Sequence, residues 1–143
     1  MEPYSLGSDQ GKVLPHIGRL IATAAQTNGS FEVIDYVGPA EPPPHIHQMR
    51  EEGFYILDGT FTFTLAEDVV EARVGSFIFV PRGTRHGFTV QPGGRALLFI
   101  APAGLGMFFE ELGRGLAAGR SGEEIREALD QVPRRTSPVQ LAR

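Results

Sequence analysis

The hydrophobic pattern of this chain is a series of short apolar runs separated by Gly, Pro or Asn. Runs of this length and spacing are typical of the strands of an all-β sandwich or barrel. The pattern predicts strands at residues 18–25, 31–37, 45–47, 53–57, 61–65, 77–80, 88–91 and 96–101. A barrel is therefore expected within residues 13–101.

The pattern changes after Pro102. Apolar and acidic residues at 107, 108, 111 and 112 follow helical spacing, and Ser121 with Glu124 forms the capping-box signal that opens a helix. Short C-terminal helices are expected within residues 104–131, followed by a loose or docking tail at 132–143 that contains two prolines. At 143 residues and 41% hydrophobic content, the chain is expected to form a single domain over residues 1–143.

Several aromatic residues are assigned to the core by the same pattern. Residues 77–80, Phe-Ile-Phe-Val, show little alternation, as expected of a strand that is covered on both faces. Phe54, Phe63, Phe88 and Phe99 are also predicted to be core residues. Any of them that faces a ligand site would line an apolar pocket.

Candidate metal ligands lie close together in the sequence. His45 and His47 are two residues apart, so on a strand they point to the same face and can share one ion. Glu52 has an odd spacing from His47, which requires a turn or bulge that residues 48–51 could supply. Residues 52–57 then form the next strand, and residues 58–59 are predicted to form a hairpin turn. His86 arrives behind a second turn, formed by Pro81 and Gly83.

Composition excludes several classes of function. A net charge of -4 without a basic cluster gives no surface for nucleic acid, and the absence of cysteine excludes disulfides and thiolate ligands. The amino terminus does not resemble a signal segment, and no apolar run is long enough to span a membrane. These features predict a cytoplasmic protein that binds neither nucleic acid nor membrane.

The two histidine segments resemble the two motifs of the cupin superfamily. The first motif comprises Gly38, His45, His47, Glu52 and Gly59, and the second comprises Gly75, Pro81, Gly83 and His86. The chain departs from the family pattern in having six residues between the first glycine and the first histidine, and Val90 where an asparagine often stands. Neither departure removes a ligand. Residues 102–113 are similar to the end of bacterial quercetin dioxygenase-like monocupins.

The resemblance implies a double-stranded β-helix, or jelly-roll barrel, that holds one divalent ion with His45, His47, Glu52 and His86. Nitrogen and oxygen ligands without sulfur suit Fe, Mn, Ni, Co or Zn and do not choose among them. Glu51 is a rival ligand, but its spacing from Gly59 does not match the family motif.

Three other residues near the motifs are assigned ordinary structural roles. His16 has no partner in the sequence and is taken as structural. Arg82 and Arg85 flank the second turn and are taken as rim charges, with Arg85 also able to steer an acidic substrate towards His86.

Three functions are consistent with this resemblance. The first is a dioxygenase that acts on a flavonol-like or other enol substrate, with Glu52 as ligand and base and dioxygen as a second partner. The second is a non-oxidative polyketide cyclase or isomerase, and the third is a module that binds a small molecule without catalysis. Family members commonly cover their sheet edges by dimerisation. A homodimer is therefore expected, with residues 18–25 and 107–109 as candidates for its interface.

Overall fold

The computed structural model describes residues 2–106, 114–115, 118–119 and 139–141. Within these residues the chain forms eleven β-strands. They are β1 (Lys12–Leu14), β2 (Gly18–Ala22), β3 (Glu32–Tyr36), β4 (His45–His47), β5 (Glu51–Asp58), β6 (Phe61–Leu65), β7 (Asp68–Ala72), β8 (Phe77–Val80), β9 (His86–Val90), β10 (Arg95–Ala101) and β11 (Val139–Leu141).

The strands form two antiparallel sheets. One has the order β1-β2-β3-β10-β5-β8, and the other has the order β11-β4-β9-β6-β7. From β3 to β10 the chain passes repeatedly from one sheet to the other, as in a jelly roll. The all-β jelly-roll prediction is therefore confirmed. The single-domain boundary stays a prediction.

The predictions for the carboxyl-terminal part concern mostly residues that the structure does not describe. The expected helices lie almost entirely outside the described residues. Within the expected tail, β11 pairs along the backbone with β4, so that Val139 is opposite His47 and Leu141 is opposite His45. This part of the tail is therefore a strand at the edge of the second sheet.

Alternation along the strands places one row of side chains from each sheet in a shared core. Its centre is a cluster of aromatic rings whose centroids lie 4.9–6.0 Å apart, mostly in edge-to-face or tilted contacts. Such pairs add to the free energy gained from burying the rings. The cluster consists of Tyr36, Phe54, Phe61, Phe63 and Phe88.

Two predictions about aromatic burial are wrong. Phe99 is 42% exposed and lies on the outer face of β10, because the inward phase of that strand is taken by Leu98 and Ile100. On β8, Phe77 and Phe79 are 59% and 55% exposed, because only the alternate residues of this strand face the core. The strand predicted to be covered on both faces is thus covered on one.

The predicted hairpin at Asp58 and Gly59 is also not found. β5 and β6, which this turn connects, belong to different sheets and do not pair. The turn carries the chain across the barrel, and Gly59 adopts a φ of 70° there. The first true hairpin after the motif is formed by β6 and β7, with Leu65 opposite Asp68.

Candidate metal centre

Three strands bring the predicted ligands to one end of the barrel. His45 and His47 point inward from β4 with Ile46 between them, as their spacing predicted. β4 pairs with β9, and the register places His45 directly opposite His86. Glu52 begins the inward row of β5 in the other sheet, so it faces the three histidines across the interior. The residues between β4 and β5 make the crossing that the odd spacing required.

The four side chains form a compact and almost completely buried cluster. One ligand atom from each lies within 4.8 Å of all the others. His45 Nε2 lies 2.9 Å from His47 Nε2, and His86 Nε2 lies 3.4 Å from Glu52 Oε2. Glu52 Oε1 contacts His47 Nε2. None of the four residues is more than 3% exposed.

Backbone carbonyl groups orient two of the imidazoles. The Nδ1 atom of His45 lies 2.7 Å from the carbonyl oxygen of Pro43, and that of His86 lies 2.9 Å from the carbonyl oxygen of Thr84. A carbonyl oxygen can only accept a hydrogen bond, so each ring carries its proton on Nδ1. The Nε2 lone pairs are therefore directed into the cluster, as a metal ligand requires.

The local environment sets the protonation of the cluster. Burial, with the adjacent charges of His47 and His86, lowers the pKa of His45 to about 3. Burial alone would raise the pKa of Glu52, but the close contacts of its carboxylate with His47 and His86 outweigh this effect and hold the pKa well below its usual range. Burial alone would also lower the pKa of His86, but the Glu52 carboxylate and the Thr84 carbonyl raise it. At neutral pH the cluster therefore has an ionised carboxylate and a neutral His45, which are states that bind metal.

The donor set fits a divalent cation. Bonds of about 2.1 Å place two ligand atoms roughly 3 Å apart when they are adjacent and roughly 4.2 Å apart when they are opposite. The atoms of this cluster span a similar range, up to 4.8 Å. Within the described residues, Glu52 Oε1 and His86 Nε2 make no hydrogen bond of standard geometry. A cation between these atoms would satisfy both of them.

Residues that the sequence analysis set aside stay outside the cluster. Glu51, the rival carboxylate, points away and pairs with Arg82, whose Nε lies 2.6 Å from Glu51 Oε2. Arg85 is exposed beside the second turn. His16 is also exposed, in the loop before β2, and it has a φ of 62°.

One buried carboxylate near the site was missed from the sequence. Glu32, 3% exposed, begins the inward row of β3, and the register places Glu32 and Glu52 on either side of Ile100. The Glu32 carboxylate accepts hydrogen bonds from three successive backbone N–H groups, at residues 104, 105 and 106. Arg50, also buried, donates to the carbonyl oxygen of Ala103. Glu32 and Arg50 hold residues 103–106, which follow β10. The only local signal for Glu32 was its position in the inward phase of the strand.

Comparison with known families agrees with this geometry. A family profile described as a cupin domain matches residues 32–101. This segment contains strands β3 to β10 and all four residues of the cluster. Residues 32–101 therefore match a cupin domain, as the motifs predicted.

Individual relatives have diverse activities. Quercetin 2,3-dioxygenase from Bacillus subtilis (strain 168) is 29% identical over 117 residues, which are 78% of this chain and 35% of that protein. The chain thus spans about a third of the length of this relative. The solved polyketide cyclase RemF from Streptomyces resistomycificus is 26% identical with a TM-score of 0.54, over 71% of this chain and 79% of that one.

A further solved structure shows the same fold. It is a variant of Streptomyces Pac13, a nucleoside dehydratase, determined with uridine. It is 22% identical to this chain, with a TM-score of 0.58 over 72% of this chain and 84% of that one. Proteins that share this barrel therefore catalyse different reactions.

Among the residues that the structure describes, no helix is long and apolar enough to cross a membrane.

Proposed function

We propose that this protein is a metal-dependent enzyme acting on a small molecule, and that His45, His47, Glu52 and His86 hold one divalent ion. The observation that carries the proposal is the convergence of these four side chains, from three strands and two sheets, into one buried cluster. Burying a carboxylate among imidazoles costs free energy, and a bound cation would offset that cost.

We propose oxidative cleavage of a flavonol-like or other enol substrate by dioxygen as the reaction. The likeness to quercetin 2,3-dioxygenase over 78% of the chain supports this choice. When bound, the metal ion would supply Lewis acidity and hold substrate and dioxygen side by side.

The residues of the chain would contribute proton transfer and a dry environment. The lowered pKa of Glu52 keeps its carboxylate ionised, so that one of its oxygens can accept the proton of the substrate hydroxyl. Below the cluster the interior is filled by the rings of Phe54, Phe63 and Phe88, which leaves an apolar surface and excludes bulk water from that side.

A non-oxidative reaction is the second candidate. The likeness to the polyketide cyclase RemF covers 79% of that chain, whereas the likeness to the dioxygenase covers 35% of that protein. In a cyclase the Glu52 carboxylate would move a proton of a polyketide chain without any use of dioxygen.

The metal assignment is tested by elemental analysis of purified protein. The unmodified protein should contain close to one equivalent of a divalent metal after loading. His47→Ala and His86→Ala should each lose stoichiometric uptake while keeping the circular dichroism spectrum of the folded barrel. His16→Ala, which alters an exposed histidine, should load normally. Full occupancy in both cluster variants would reject the assignment.

The reaction is tested with an oxygen electrode, using flavonols and other enols with each candidate metal. Glu52→Gln should lower turnover at least about 100-fold, because it removes the proton acceptor and a charged ligand. Glu51→Gln, at the neighbouring carboxylate that pairs with Arg82, should leave turnover within about twofold. Product formed without oxygen consumption would favour the cyclase, and no product from either substrate class with metal loaded would indicate a binding module.

A further inference from the structure

One face of the larger sheet is apolar and uncovered. Tyr55 on β5, Phe77 and Phe79 on β8, and Phe99 on β10 point away from the core and are between 42% and 59% exposed. We call these four side chains the outer aromatic face. No residue of the described part of the chain buries them.

The register makes this face one continuous patch. Gly53 is paired with Phe79 on one side and with Phe99 on the other, and Tyr55 is paired with Phe77. The Phe77 ring lies over Gly53, where an added Cβ would come within 2.9 Å of its Cζ atom. The four rings are therefore neighbours on one surface that extends across three strands.

The exposed area of the outer aromatic face is close to the apolar area that a protein interface of ordinary size buries. With about 200 Å² for a fully exposed aromatic side chain, the four rings leave roughly 400 Å² in contact with water. An interface of ordinary size buries about 800 Å² on each partner, and roughly 500 Å² of this is apolar when two identical chains meet. The four rings thus supply most of the apolar centre of such an interface.

The surrounding charges suit contact between two identical surfaces. None of the four side chains is charged, so two copies of the face can meet without burying an ion. At one end lies the pair of Glu51 and Arg82, and at the other end Arg95 binds Asp35. Because each pair combines opposite charges, the rim does not oppose self-association.

The edge of the sheet gives a second reason for a partner. β8 is the last strand of its sheet in the described residues, and it carries the two most exposed rings of the face. An apolar edge strand left open is prone to uncontrolled association. The pattern of residues 77–80 is also that of a strand covered on both faces, whereas the described chain covers only one.

We propose that the outer aromatic face is the interface of a homodimer, in which the same face of a second copy covers it. This interface differs from the one expected from the sequence. β2 lies between β1 and β3 with both edges paired, and residues 107–109 lie outside the described residues.

The test is the mass in solution by size-exclusion chromatography with light scattering, at micromolar concentration. The unmodified protein should have a mass near twice 15.5 kDa. Phe79→Lys should raise the dissociation constant of the dimer at least about 100-fold, because each copy loses one of the four rings and gains a charge on the same face. Val69→Lys is the matched control, since Val69 is 72% exposed on the other sheet and should leave the dimer intact.

Phe77→Lys provides a second disruption of the same face. Circular dichroism and metal uptake on both aromatic variants establish that the barrel and its cluster are intact, independently of any enzymatic assay. An unmodified protein that is monomeric would overturn the proposal and assign the face to a different partner. Folded variants that dimerise with the original dissociation constant would overturn it as well.

Discussion

Glu32 provides a stringent test of how the barrel end is held together. The substitution is Glu32→Gln, which preserves the shape of the side chain and removes its charge. The carboxylate now accepts N–H groups from Gly104 at 2.6 Å, from Leu105 at 2.7 Å and from Gly106 at 3.0 Å. The first two bonds go to Oε1 and the third goes to Oε2.

The expected loss follows from these three bonds. A carboxamide keeps one oxygen for Gly104 and Leu105, but it turns an NH₂ group towards the N–H of Gly106, so the third bond becomes a contact between two donors. Bonds to a charged acceptor contribute about 1.5–3 kcal/mol each, and neutral ones contribute about 0.5–1.5 kcal/mol. Two weakened bonds and one lost bond give about 4 kcal/mol, which is a large part of the 5–15 kcal/mol typical of a domain.

The assay is urea unfolding followed by far-ultraviolet circular dichroism, which suits a chain without tryptophan. Glu71→Gln is the control, because Glu71 pairs with Arg73 at a site where both side chains are more than half exposed. That variant should change the unfolding free energy by less than about 0.5 kcal/mol. Metal uptake should remain stoichiometric in Glu32→Gln, since Glu32 is not in the cluster. A loss below about 1 kcal/mol for Glu32→Gln would show that these three hydrogen bonds do not hold the barrel end together.

Two further predictions concern the larger sheet. Gly18 has a φ of 148°, and an added Cβ would lie 1.9 Å from the carbonyl oxygen of Asp35, so Gly18→Ala should cost at least about 3 kcal/mol in urea unfolding. Gly75→Ala, with a φ of 87° and open space around it, should cost only about 1–2 kcal/mol, and equal losses would contradict a steric cause. Hydrogen bonds from Arg95 hold the pKa of Asp35 below its usual value, and Arg19 adds to this effect. Burial acts in the opposite direction but is outweighed. Because the folded pKa is the lower one, this stabilisation is complete above the unfolded pKa of about 3.9 and is lost as the pH falls through the folded value. The difference in unfolding free energy between the unmodified protein and Asp35→Asn should therefore shrink as the pH falls below about 4, and a constant difference would count against this ion network.

The fold class and the four residues of the cluster could be predicted from the sequence because their signals are local. The i, i+2 spacing of His45 and His47 fixes a shared face on any strand, and the odd spacing to Glu52 requires a crossing. The structure places both features as expected and adds His86 directly opposite His45. The motif glycines and prolines set the turns that separate these strands.

The face of each strand that is exposed to water could not be predicted from the sequence in the same way. Phe54 and Phe99 lie on neighbouring strands, yet one is 3% exposed and the other is 42% exposed. Alternation says only that successive side chains point to opposite sides. Pairing and the position of the second sheet decide which side is the interior.

The order of residues along the chain was enough to predict the short strands, the two motifs and the residue types able to hold a metal ion. Tertiary structure alone decided that Glu32 would be satisfied by backbone groups more than 70 positions away, that β11 would join the strand of His45, and that β8 would leave an aromatic face uncovered. The physical reason is that turns and alternation are set by neighbours along the chain. Burial and hydrogen-bond satisfaction depend instead on which distant segments meet.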